Sequence, residues 1–364
     1  MSLTALARSL PSTVPFVGPE ALERRTGRPF KARLGANESV FGPSPAVVDA
    51  MAAAARDSWA YGDPEHFEVK AAIAAHHGVG PENVAVGEGI DGLLGLLVRL
   101  TVEPGDKVVT SLGAYPTFNY HVVGHGGVLD FVPYRADDHE DPEALAERAA
   151  ALHPKLLYFA NPDNPTGTWH EGAAVQRLIE ATPEETILVL DEAYADFAPG
   201  SALPPLVPFR PNVLRFRTFS KAHGMAGARI GYVLGAPETL VHFDKVRNHF
   251  GLSRMAQAGA IAALADKAYL RETVARVAQA RETLAAIALD AGLRPLPSAT
   301  NFVAMDCGGD GAHARAILDG VISRGVFIRM PGQPPLDRMI RVTVGRPEEL
   351  ALFAEALSAS LRDR

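Results

Sequence analysis

Cysteine is nearly missing from this chain: Cys307 is the only one in 364 residues. A lone thiol excludes an intramolecular disulfide and a cysteine-based metal cluster, and it suits a reducing compartment. Positive charge is in deficit. Lys and Arg number 35 against 42 Asp and Glu, a net charge of -7, which argues against a nucleic-acid surface. Long apolar runs are lacking, and none approaches the ~18 residues of a membrane helix. The opening MSLTALARSLP is interrupted by Arg8 and Pro11, so no signal peptide is expected and the protein reads as cytoplasmic. No G-x-x-x-x-G-K-[ST] occurs, which weakens any nucleotide-triphosphatase reading. There is no internal repeat.

What is present reads as a soluble globular chain, 47% hydrophobic and 21% charged, long enough for one large domain or two. Residues 1–45 are rich in proline and glycine with little periodicity, and read as an arm. The pattern then predicts helices over 46–56, 65–77, 90–100, 117–123, 142–152 and 171–181. Between and after them lie short apolar strands at 83–86, 107–110, 129–132, 156–160, 187–190, 213–216 and 230–234. Short strands buried on both faces and separated by helices predict an α/β fold with a mostly parallel sheet. A long helical region, 253–291, leads into strand 302–305, helix 313–324, strands 326–329 and 339–344, and helix 347–361. The organisation expected is a large α/β domain over 46–265. The arm, 1–45, joins a small α+β domain over 266–364.

Gly87-Glu88-Gly89-Ile90-Asp91-Gly92 fits G-x-G-x-x-G between a strand and a helix. A dinucleotide site would need an acidic residue at the end of the next strand, where Thr110-Ser111 stands. A helix N-terminus binds a phosphate whatever molecule carries it. A tight turn that binds nothing is the plain alternative.

Three further stretches carry chemistry. Asp191 follows the apolar run Ile187-Leu188-Val189-Leu190, where open α/β sheets place their ligands. A carboxylate there can pair with a protonated pyridine nitrogen. Lys221, in Thr218-Phe219-Ser220-Lys221-Ala222-His223-Gly224, follows another apolar strand. At the mouth of a buried site its amine loses proton affinity to desolvation and is then a competent nucleophile and base. Ser220 and Arg229 can reach one phosphate. Asn161-Pro162-Asp163-Asn164-Pro165-Thr166-Gly167 reads as a turn in which Asn164 can donate to a phenolic oxygen, as can Tyr194. A Schiff-base lysine, phosphate ligands and a carboxylate for a ring nitrogen are the parts that hold pyridoxal phosphate (PLP).

NPDNPTG, DEAYADF, TFSKAHGMAGARIG and IRVTVG occur in this order. Together they resemble the fold-type-I PLP aminotransferases, in the branch containing histidinol-phosphate aminotransferase. The resemblance runs from about Leu34 to Val344. It implies Lys221 as the Schiff-base lysine, Asp191 as the pyridinium partner, and Asn164 and Tyr194 at the phenolic oxygen. It implies a phosphate cup of Ser220, Arg229 and the amides of Gly89 and Ile90. Phe118 aligns with the aromatic that stacks on the ring, with Tyr115 and Tyr120 competing. Tyr61 resembles a tyrosine that reaches the cofactor of the neighbouring subunit, which implies a homodimer. Arg341 matches the arginine for the substrate carboxylate or its equivalent, Arg329 matches a second one facing the substrate, and Asn37 is a candidate contact on the closing arm.

The implied reaction is ping-pong transamination between a small-molecule amino donor and a keto acid, histidinol phosphate with 2-oxoglutarate being the leading pair. An aromatic amino acid is the alternative donor. A threonine-phosphate decarboxylase is the rival in another reaction class. Departures fall on the substrate side: the family's N-E-N-P reads Asn37-Glu38-Ser39-Val40, its Y-P-D reads Tyr61-Gly62-Asp63, and Met330-Pro331-Gly332-Gln333-Pro334-Pro335-Leu336 is unusually apolar for a phosphorylated substrate. No metal is expected, because His121 and His125 have no evident third ligand. His76-His77 reads as a solvated helix end, and His223 as either a site or a core residue. No nucleic-acid or membrane partner is expected.

Overall fold

The structure, a computed structural model, describes residues 2–12 and 17–363. Its centre is a seven-stranded sheet in the order Val84–Gly87, Gly231–Leu234, Val213–Thr218, Ile187–Asp191, Leu156–Ala160, Lys107–Ser111, Val128–Val132. Only Gly231–Leu234 runs against its neighbours; the other pairings in the sheet are parallel. The composition explains the middle of the sheet. Leu156–Ala160 is apolar at every position and buried throughout, as a strand covered by helices on both faces must be. Helix Gly89–Thr101 turns Ile90, Leu93, Leu94, Leu97 and Val98 inward at helical spacing. Helix Pro142–Leu152 begins where Asp141 accepts from the Ala144 amide at 3.1 Å and ends at His153 in the left-handed conformation.

The expected α/β class and mostly parallel sheet are found, with most strands and helices within a residue or two of their expected bounds. Four expectations need correction. The first 45 residues are not featureless: they hold helices Ala5–Ser9 and Pro19–Thr26 and the strand Ala32–Arg33. That strand pairs in parallel with Val326–Phe327, which is shorter than the expected 326–329. The helical region 253–291 is two helices, Arg254–Ala265 and Lys267–Asp290. Asp266 ends the first and caps the second, accepting from the Tyr269 amide at 3.1 Å. The two-residue strand Arg294–Pro295, too short for a sequence signal, completes an antiparallel sheet with Phe302–Asp306 and Met339–Thr343. His76 and His77 are half-buried instead of solvated, with His77 Nε2 2.9 Å from the Tyr232 hydroxyl.

Among the described residues no helix is long and apolar enough to cross a membrane, and no group of three or more His, Cys, Asp or Glu is placed to hold a metal ion.

Candidate active site

Sheet direction gathers the site. The carboxyl ends of Val84–Gly87, Lys107–Ser111, Leu156–Ala160, Ile187–Asp191 and Val213–Thr218 lie at one edge, together with the amino end of the reversed strand Gly231–Leu234. Ala160 is in register with Asp191, and Asp191 with Phe216. Asn164, Asp191 and Lys221 therefore leave three adjacent strands at the same level. Gly87 is in register with Gly231, which brings the turn at Gly89 beside Arg229.

That turn is a tight fit. Gly89 has φ +76°, and a Cβ placed on it would come within 2.5 Å of Arg229 Nη2. A Cβ on Gly231 would stand 2.9 Å from the Ile90 amide nitrogen. Two glycines thus leave a cradle of helix-terminal amides open beneath a guanidinium, the arrangement an anion needs. Ser220 lies nearby in sequence, buried, with its amide donating to Thr218 Oγ1 at 3.0 Å.

Asp191 is buried, with one oxygen accepting from the Tyr158 hydroxyl at 2.7 Å and the other from the Ala193 amide at 2.9 Å. Burial pushes its carboxyl up to about 6. The Lys221 amine donates to the backbone carbonyl of Asn37 at 3.0 Å. Burial, seconded by the Arg341 charge, pushes this amine down to about 8. Tyr194 is buried with its hydroxyl accepting from Asn37 Nδ2 at 2.9 Å, and burial raises its phenol above the ordinary range. Arg341 donates to the side-chain oxygen of Asn164 and to the Gly35 carbonyl, and its guanidinium carbon lies 5.2 Å from the Phe302 ring centre. Its Nε is buried without a hydrogen-bond partner, so the guanidinium retains a donor for an incoming acceptor. Arg329 bridges Arg341 through the backbone, donates to the Val17 carbonyl at 3.2 Å, and lies over Phe327.

Two expected residues, Phe118 and Asn37, make contacts other than those expected of them. Phe118 has no exposed surface; it stacks on Tyr158 at 4.6 Å between ring centres, in the core layer behind Asp191. Tyr115, three residues earlier, is half-buried within electrostatic reach of Tyr194, Arg329 and Arg341, and its hydroxyl donates to Asp91 at 2.9 Å. Asn37 spends both ends of its side chain on protein partners, Tyr194 and Thr343. It braces the arm against the site. Tyr61 is 76% exposed, its ring 4.7 Å from that of Phe250. His223 is a core residue, 8% exposed and packed on Phe219.

Sequence reading missed Tyr158, which looks like any aromatic of a buried strand, and Asp91, whose position in the first turn of a helix reads as favourable to the helix dipole and nothing more. It also missed Glu192. This buried carboxylate takes Arg215 on one oxygen, at 2.9 and 2.5 Å, and Arg217 on the other at 2.8 Å. It ties the turn after Asp191 to the strand that leads to Lys221.

A buried carboxylate, a lysine of lowered basicity and an anion cradle at one sheet edge match the chemistry of a phosphorylated aldehyde cofactor. Comparison with known proteins agrees. The family described as aminotransferase class I and II matches residues 31–357. A histidinol-phosphate aminotransferase of Roseiflexus castenholzii is 37% identical over 361 residues, 96% of each chain. An aromatic amino acid aminotransferase of Nocardia farcinica is 39% identical over 334 residues, 89% of this chain and 90% of that one. The crystal structure of histidinol-phosphate aminotransferase from Sinorhizobium meliloti in complex with pyridoxal-5'-phosphate superposes with a TM-score of 0.96 at 55% identity, over 99% of this chain and 98% of that one. With a match across most of its length, the chain belongs to the class I and II aminotransferases.

Proposed function

We propose that the protein is a PLP-dependent aminotransferase that takes histidinol phosphate as amino donor and 2-oxoglutarate as acceptor. The observation that carries this reading is the convergence of Lys221, Asp191 and the Gly89–Arg229 cradle at one sheet edge. The substrate assignment leans on the names of the Roseiflexus castenholzii and Sinorhizobium meliloti relatives. When bound, PLP supplies an aldehyde for the substrate amine and a ring that accepts the electrons released at the amine-bearing carbon.

The chain's own residues do the rest. Lys221, with its amine lowered to about 8, is close to ordinary pH in proton affinity and serves as base and then acid. Asp191 holds a proton on the ring nitrogen and is itself aligned by Tyr158. Asn164 and Tyr194 address the phenolic oxygen. The amides of Gly89 and Ile90, with Ser220 and Arg229, hold the phosphate. Tyr115, in place of Phe118, offers the ring face, because Phe118 is sealed in the core. Arg341 takes the anionic group of the substrate in two-point contact, with Arg329 beside it.

Homodimerisation and a cytoplasmic location belong to the same reading. Trp59, Tyr61, Phe67 and Phe250 are 86%, 76%, 69% and 50% exposed, a cost that a monomer would bear without return. A partner subunit covering them would place Tyr61 toward a second site.

Visible absorption of the purified protein with PLP, before and after L-histidinol phosphate, tests the proposal. The expected result is a cofactor band that converts with histidinol phosphate and returns with 2-oxoglutarate. A band indifferent to histidinol phosphate but responsive to phenylalanine or tyrosine would move the substrate to the aromatic class, which the Nocardia farcinica relative and the apolar stretch Met330–Leu336 favour. Absence of any cofactor band would overturn the whole reading.

A further inference from the structure

One cluster of charged side chains lies away from the residues assigned so far and joins the two sheets. Asp138 belongs to the seven-stranded layer, in the turn between strand Val128–Val132 and helix Pro142–Leu152. It adopts φ 67°, a left-handed backbone that an aspartate takes with a single residue. Its side chain is 5% exposed. One oxygen accepts from Arg338 Nη2 at 2.6 Å and the other from Arg294 Nη2 at 3.1 Å. Asp306 closes the square, taking Arg294 Nη2 at 2.9 Å and Arg338 Nε at 3.0 Å on one oxygen. Arg294, Asp306 and Arg338 all come from the three-stranded antiparallel sheet or its approach. Beside the square, Tyr134 packs with Leu296, Ala304, Leu336 and Met339 as an apolar seam between the same two layers.

The position of Arg338 matters. It directly precedes strand Met339–Thr343, which carries Arg341, and its carbonyl accepts from the Cys307 amide at 3.1 Å. Asp306 is in register with Met339. The ion square therefore pins the entry of the Arg341 strand to a turn of the sheet that carries Lys221 and Asp191. A carboxylate held between two guanidinium groups is a directional clamp, and a nearly buried one is screened little by salt.

We propose that Asp138 is a positioning residue for the substrate-binding arginine: through Arg338 and Arg294 it sets how far Arg341 stands from the cofactor wall. This rests on the reading of Arg341 as the substrate arginine. The cofactor contacts proposed within one subunit lie at the strand ends of the seven-stranded sheet, so losing the clamp is expected to act on substrate more than on PLP.

The test is the Asp138→Asn variant, assayed for KM toward histidinol phosphate and 2-oxoglutarate and for the dissociation constant of PLP by absorbance titration. A misplacement of about 1 Å costs on the order of a hundredfold, and a loosened clamp is expected to raise both KM values about tenfold with PLP affinity unchanged. An unchanged KM, or a PLP affinity that falls in step with KM, overturns the proposal. Arg294→Met removes one strut at a half-exposed position, leaves Asp138 paired with Arg338, and is expected to raise KM about threefold. It decides the matter if Asp138→Asn does not fold, an unchanged KM again being the overturning result. Arg341→Ala is the control: if its KM values stay at wild type, the reading of Arg341 fails and takes this proposal with it. If they rise while those of Asp138→Asn do not, only the clamp is refuted.

Discussion

The residues proposed to hold the cofactor form one wall and those proposed to hold the substrate another, and the two are held by different kinds of connection. The cofactor wall is built from adjacent strands of one sheet. Asn164, Asp191 and Lys221 leave three neighbouring strands in register, and the Glu192 carboxylate is buried between Arg215 and Arg217 behind them. The substrate wall is built from distant parts of the chain. Arg341 meets Asn164 across 177 positions and Asn37 meets Thr343 across 306, and the charges that brace it include the half-exposed Arg294. A backbone ladder and a buried ion triad make a rigid wall, suited to holding a ring system in one pose. Side-chain links between layers make a wall whose distance from the first is set by a few ion pairs.

Removing the central group of the rigid wall has the largest expected effect. Lys221→Ala is expected to lose turnover by about 10⁴-fold or more while circular dichroism keeps the wild-type fold. Turnover near the wild-type level would remove Lys221 from the chemistry.

The brace behind that wall comes next. Glu192→Gln leaves Arg215 and Arg217 facing a neutral amide in a buried place, and breaking such a pair costs about 3 kcal/mol or more. Urea denaturation is expected to report that loss, with a smaller one for Asp306→Asn, whose partner Arg294 reaches solvent. Equal losses in the two variants would erase the distinction between the walls.

The smallest effect is a pH dependence. Lys221 has its folded value lowered to about 8 from 10.5. A lowered lysine contributes stability above its unfolded value and loses that contribution as pH falls toward the folded one. In the ligand-free protein the charged amine is therefore a burden below pH about 8. Lys221→Met is expected to be more stable than wild type at pH 7 by up to about 3 kcal/mol. The gap should close as pH rises from about 8 to about 10.5. Denaturation of both proteins across that range measures it, and a gap that does not change with pH would mean the amine is solvated.

Local pattern was a good guide wherever a residue's role follows from its place on an element. Lys221 and Asp191 each stand just past an apolar strand, and strand ends are where parallel sheets keep their ligands. Gly89 stands at a strand-to-helix turn, where a positive φ and a close neighbour both demand glycine. The arm was misread because two of its three elements are five and two residues long. The strand Ala32–Arg33 exists only by pairing with Val326–Phe327, nearly three hundred positions away.

Composition, polarity and the order of the apolar runs were enough to determine an α/β sheet with a lysine and a carboxylate at its ligand edge, since burial and backbone pairing act through short-range pattern. Tertiary structure alone decided which side chain of each type is used. The turn Arg135-Ala136-Asp137-Asp138-His139-Glu140 offers three acids that look alike in sequence. In the fold the Asp137 side chain is 63% exposed and that of Asp138 5%, clasped by two arginines from the other sheet. In the same way Phe118 has no exposed surface while Tyr115 is half-buried, and Asn37 gives both ends of its side chain to Tyr194 and Thr343. The physical reason is common to all three: a polar or aromatic side chain takes its role from what it is buried against, and those partners are supplied by segments far along the chain.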